Sequence, residues 1–242
     1  MEKDFMRDKK EFDLQKFDHT LHRKEQRLNV FYEPGRYWPL VEHLIRVYVR
    51  GHLFDGIKKM FAECLEYGLV YKGTQENYPN HEYFIKEVWV LLAFGFGLNI
   101  KNSQWDTLAL ELLTPAGDEW LMDTIIAQKY PDRKIGVLEP WGKTPTGKRF
   151  NHLYGYIQSK GDSQFAKKHL KKWHSNANGG HFRRMVGFGV LASDPNVENE
   201  RYIGLFAFEL AATVMAFDFD DSDFCEDIYY PKELVEYWRE NK

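Results

Sequence analysis

Between Tyr202 and Phe217 the chain carries one charged side chain, Glu209, in sixteen residues. A helix that is apolar on every side has to be enclosed on every side, so this chain must fold into something that supplies a shell around it. The segment is slightly short for a bilayer span, which needs about 20 apolar residues, and it contains a carboxylate. It therefore reads as a core helix. It runs directly into Asp218, Asp220, Asp221, Asp223, Glu226 and Asp227, six acids within ten positions. A buried element that ends in a presented negative cluster points to a protein that engages something basic.

The shell is legible as further helices. Leu14, Phe17, Leu21, Leu28 and Phe31 follow 3–4 spacing, and Glu33-Pro-Gly breaks that stripe. Tyr37 to Tyr48 gives a second stripe, Leu53 to Leu65 a third, and His81 to about Phe96 a fourth. Gly95-Phe-Gly-Leu-Asn reads as a turn and as the joint between two halves. Ser103 is placed to cap a helix through about Leu113, and Thr114-Pro115 signals a helix from Gly117 to Lys129. The Pro- and Gly-rich stretch 131–150 is the one long loop. Helices resume at 150–159, 163–174, 181–191 and 198–216, and Pro231 opens the last. No alternating strand pattern stands out. The expected fold is all-α: a bundle of about ten largely antiparallel helices in two packed halves, 1–100 and 101–242.

An apolar fraction of 43% and an aromatic fraction of 16% support a real core and exclude a disordered chain. The net charge of -3 is unevenly spread: residues 1–100 are neutral, 101–192 carry +6, and 193–242 carry -9. A polarised surface steers charged partners; the plainer reading is a solvated acidic face answering the basic middle. Cys64 and Cys225 have neither disulfide-framework nor metal-ligand spacing. The first ten residues lack the apolar stretch of a secretory leader, so a cytoplasmic protein is expected.

Catalytic patterns are missing from the sequence. His169, His174 and His181 are spaced five and seven apart, not four as on a zinc-binding helical face. Gly142-Lys-Thr lacks the upstream glycine and strand of a phosphate loop. The acidic run lacks the spacing and closing glutamate of a calcium loop. No metal, cofactor or catalytic residue is expected. Glu209 is expected to be a buried structural carboxylate, since such a group must be paired or protonated; Arg183, Arg184 or a tyrosine hydroxyl are candidate partners. Lys167, Lys168, Lys171 and Lys172 form the wet face of one helix. They could touch phosphates, but no stacking platform or groove-reading motif accompanies them. Phe217, Phe219, Phe224, Tyr229 and Tyr230 interleave with the acids, a pairing of anchors and steering charges suited to a protein interface.

Four stretches carry a family resemblance. Gly204-Leu-Phe-Ala-Phe-Glu-Leu-Ala-Ala is followed by Asp220-Asp-Ser and by Tyr229-Tyr-Pro-Lys-Glu-Leu, with Glu233 where aspartate is commoner. Ala166-Lys-Lys-His-Leu-Lys-Lys-Trp-His lies upstream, with His174 in place of tyrosine. Together they resemble the C-terminal domain of PoNi-type bacterial immunity proteins. Arg7, Asp8 and the helices to Ile100 are similar to that family's N-terminal domain, whereas 131–150 departs from its pattern.

The resemblance implies an all-helical, non-enzymatic protein that binds and neutralises a cognate secreted antibacterial toxin, expected to be a nuclease delivered by type VI or related systems. The partner-binding residues expected are Asp218, Asp220, Asp221, Asp223, Glu226 and Asp227, with no nucleic-acid or membrane partner. Two other readings stay open: an enzyme with a site around Glu209, and a nucleic-acid-binding helical protein using Lys167 to Lys172.

Overall fold

The computed structural model describes five buried helical positions between 41 and 48, then residues 53–74, 84–113, 116–117, 120–136, 145–178, 206–227 and 229–242. The helices in order are α1 (Phe54–Thr74), α2 (Phe84–Gly97), α3 (Asn102–Asp106), α4 (Trp120–Ile126), α5 (Pro145–Gln158), α6 (Ser163–Asn178), α7 (Phe208–Phe217) and α8 (Lys232–Asn241). A π-helical turn, Thr107–Leu112, continues α3. No strand occurs among the described residues, and the fold is all-α. The expected helices before residue 41 and at 181–191 lie outside the described residues.

The chain divides into two compact units. In the first, α1 buries Ile57, Met60, Phe61, Cys64 and Leu65, the stripe its 3–4 spacing predicts. The second contains α2 to α8 and has two helices at its centre. Every residue from Val88 to Leu98 in and just after α2 is buried, as is every residue from Phe208 to Met215 in α7. These two helices pack against each other, and α7 also touches α4, α5 and α8. Ala211 and Ala212 leave little side chain between neighbours, and Phe94 meets Phe208 with ring centroids 5.5 Å apart. By packing, α2 thus groups with the C-terminal elements.

Several boundaries differ from expectation, each for a local reason. The core helix α7 begins at Phe208, because Ala207 is non-helical (φ -78, ψ 69) and its N–H donates to the Tyr229 carbonyl at 2.7 Å; positions 198–205 of the expected helix lie outside the described residues. Helix α4 starts at Trp120 instead of Gly117, which turns at φ +97; Thr114-Pro115 lies outside the described residues. The helix after Lys101 is N-capped there instead of at Ser103, with the Gln104 side chain accepting from the Lys101 N–H at 3.3 Å. The long loop is shorter than 131–150, because Pro145 opens α5 with a φ already set for the first helical turn. Helix α2 runs through Gly95 to Gly97, and the turn falls at Asn99, φ 47.

Gly97 remains necessary, though for packing. A Cβ there would lie 2.4 Å from Leu234 Cδ1, and Leu234 is fully buried in α8. Gly97→Ala is expected to destabilise the second unit by about 1–3 kcal/mol through overpacking, measurable by urea denaturation. An unchanged midpoint would contradict this close approach.

Candidate functional site

The acidic segment 218–227 leaves the C-terminus of α7 and is fastened down before it reaches α8. Asp218 takes the left-handed conformation (φ 53) and ends the helix. Tyr156 of α5 is fully buried beneath the segment: its hydroxyl donates to the Asp220 carbonyl at 3.3 Å, and its ring meets Phe219 and Phe224 edge-on. Phe224 in turn packs edge-on against buried Tyr230. The interleaved aromatics thus work mainly as anchors to the body. Phe224 and Tyr230 are buried, while Phe217, Phe219 and Tyr229 are half-buried.

The six acids separate into two kinds. Asp221 turns inward and is 3% exposed; it accepts from the Tyr230 hydroxyl and from Arg239 Nη1, both at 2.7 Å. Burial, then the adjacent Asp221 carboxylate, push the Tyr230 phenol well above its ordinary pKa, so it stays a donor. Asp221 is a fastening, and the other five are at least partly exposed. Asp218 pairs with Lys242 at 2.7 Å, Asp223 with Lys167 at 3.1 Å, and Glu226 with Lys232. Asp223 also accepts from the Ser163 hydroxyl, which, followed by Lys167, holds its carboxyl below the usual range.

Asp220 and Asp227 are in ion-pair contact with no cation among the described residues. Each folds back on its own backbone instead. Asp220 accepts from the Ser222 N–H at 3.0 Å and hydroxyl at 2.9 Å, which lowers its pKa, and Asp227 accepts from the Tyr229 N–H at 2.9 Å. Sequence reading offered the basic middle as an answer to the acids, which Lys167 at Asp223 bears out, but not the individual partners 6 to 60 positions away: Lys232, Arg239, Lys242 and Ser163.

Helix α6 faces this segment. Asp162 accepts from the Gln164 N–H at its start, Ala166, His169, Leu170 and Trp173 are buried, and Lys167, Lys168, Lys171 and Lys172 are exposed. A groove of about 580 Å³ runs between α6 and residues 222–229. Its lining combines Leu170, Phe224 and Tyr229, the first two nearly buried, with Lys167 and Lys171 from α6 and Asp223, Glu226 and Asp227 from the facing segment. The basic middle and acidic end of the sequence therefore meet here.

Glu209 is 7% exposed, and its Oε1 lies 2.9 Å from His169 Nε2. The partner is a histidine; Arg183 and Arg184 lie outside the described residues. The enclosure of this pair argues against a substrate cleft around Glu209. Burial, then the charge of Lys172, lower the pKa of nearby His152. Glu209→Ala is expected to cost about 1–3 kcal/mol by stranding the imidazole and to leave partner affinity of the folded protein within two-fold. A stability series paired with a binding titration would show this, and a large loss of affinity without loss of stability would contradict it.

Sequence reading missed Asp123, which is fully buried in α4. It accepts from Arg133 Nε at 2.6 Å and from the N–H groups of Gly117 and Gly136, both at 3.0 Å. The available signal was a lone acid among Leu121, Met122, Ile125 and Ile126, the same signal that singled out Glu209. Among the described residues no His, Cys, Asp or Glu cluster is arranged to hold a metal ion, and no helix is long and apolar enough to cross a membrane.

Residues 117–234 match a family model described as PoNe immunity proteins (PoNi), C-terminal. That span includes the groove, the fastened acidic segment, Glu209 and Asp123. No curated protein and no solved structure matches the chain.

Proposed function

We propose that this chain, which belongs to the PoNi family through its residues 117–234, is an immunity protein that binds a cognate PoNe toxin and neutralises it. The toxin is a nuclease, and the binding surface is the exposed side of 218–227 with the adjoining face of α6. The family match carries this reading, and the surface supplies a physical means. A segment pinned by Tyr156, Phe224 and the Asp221–Tyr230–Arg239 network is ordered before binding, so little freedom remains to be lost on association.

Local compensation of the acids changes how such a surface works. Ion pairs on an exposed face contribute little to stability, and they also weaken the long-range field that would steer a basic nuclease. Discrimination then rests more on the shape and pairing of individual side chains than on bulk negative charge. The protein acts inside the cell that makes the toxin, a type VI or related contact-dependent system being its setting, and it turns over no substrate.

The test is co-expression with the product of the neighbouring gene in a sensitive host. Rescue from an otherwise lethal toxin supports the proposal. Full lethality despite abundant folded protein contradicts it.

A further inference from the structure

The groove between α6 and residues 222–229 is lined by charges of opposite sign from its two sides. Lys167 is occupied by Asp223, and Lys232 stands at Glu226. Lys171 has no ion-pair partner among the described residues, and neither has Asp227, which faces the groove from the other side. Between them lie Leu170, Phe224 and Tyr229, with Tyr229 braced against Trp173 at a centroid distance of 5.6 Å. A cation and a carboxylate without ion-pair partners among the described residues, with apolar side chains between them, make a neutral, dipolar slot, which is a poor mimic of a phosphate backbone. Its volume lies within the range of about 300–1,000 Å³ found for specific binding clefts, enough for a few side chains of an extended segment.

We infer that this groove is the specificity slot of the interface, and that it takes an extended segment of the toxin in which an apolar side chain lies between a basic and an acidic one. This inference rests on the immunity reading above. The basic residue pairs with Asp227, the acidic residue with Lys171, and the apolar side chain covers Leu170, Phe224 and Tyr229. Charge complementarity selects this occupant over a purely basic surface, which Lys171 would repel.

Lys171 makes the inference testable, because the two modes of binding give it opposite signs. If a bare acidic face binds a basic toxin, removing Lys171 leaves affinity unchanged or improves it. If the groove holds a dipolar segment, the same change weakens binding. The variants are Lys171→Ala, which offers Lys167 no new partner, Lys171→Glu, Asp227→Asn, which keeps an acceptor for the Tyr229 N–H, and Asp220→Asn outside the groove. Each is titrated calorimetrically against the purified cognate toxin after its thermal midpoint is shown to match the parent.

Weakening by about ten-fold or more, equivalent to about 1.4 kcal/mol, is expected for Lys171→Ala, Lys171→Glu and Asp227→Asn, with a smaller loss, under about five-fold, for Asp220→Asn on the part of the surface outside the groove. Unchanged or tighter binding by both Lys171 variants, with a loss at Asp220→Asn, overturns the groove and leaves the acidic-face reading standing. Parent-like binding by all four variants overturns both surfaces but not immunity. Failure of the parent itself to bind overturns the immunity reading, and the groove falls with it.

Discussion

Asp123→Ala is expected to destabilise the second unit by about 4 kcal/mol, within the range for removing one partner of a buried ion pair. The carboxylate is fully buried and satisfies the Arg133 guanidinium and two backbone N–H groups. Without it, Arg133, whose side chain is 4% exposed, loses this carboxylate from beside its buried charge, while its Nη1 bond to the Ala109 carbonyl at 3.1 Å remains. The Gly117 and Gly136 N–H groups lose their acceptor too, so the turns on both sides of α4 come loose together. At roughly 2–4 °C per kcal/mol for a unit of this size, the thermal midpoint should fall by about 8–16 °C. Asp123→Asn keeps one acceptor oxygen and should fall between parent and alanine variant. A midpoint within 2 °C of the parent for Asp123→Ala would mean that the network carries no net stability.

Asp221→Ala is expected to lower stability by about 3 kcal/mol. The buried Tyr230 hydroxyl loses its acceptor, at a cost of about 1–3 kcal/mol. Arg239 is half-exposed and recovers part of its loss from water. The consequence reaches function, because Asp221, Tyr230 and Arg239 hold the segment that presents Asp220, Asp223, Glu226 and Asp227. Charge reversal at Asp221 would therefore abolish binding by loosening the segment, whether or not Asp221 meets the partner. Asp221→Asn separates the two effects: it preserves an acceptor for Tyr230 and should restore most of the stability. If Asp221→Ala left the denaturation midpoint unchanged while binding was lost, Asp221 would belong to the interface and its inward pairing would be incidental.

Helix content and the core stripes could be read from the chain because they depend on neighbours three and four positions apart. Ile57, Phe61 and Cys64 in α1, Leu234, Val235 and Trp238 in α8, and Leu170 and Trp173 in α6 all fall on the buried faces their spacing predicts. Glu209 was recognisable as a buried carboxylate because every nearby residue was apolar. Features set by distant residues were not legible. The start of α7 is fixed by Tyr229, 22 positions after Ala207, and the charge state of the acidic surface by Lys167 and Lys242. Asp221 shows the limit most plainly: it sits between Asp220 and Ser222 in one short run, and only the fold turns it inward while its neighbour Asp220 stays in solvent.

The central claim is that this chain neutralises a PoNe toxin by binding it directly. The most direct test mixes the purified chain with the purified cognate toxin, follows co-elution by size-exclusion chromatography, and assays nucleic-acid cleavage by the same mixture. A stable complex whose nuclease activity is lost in proportion to added protein, with no modification of either chain, is the predicted result. Separate elution with undiminished cleavage would contradict the account.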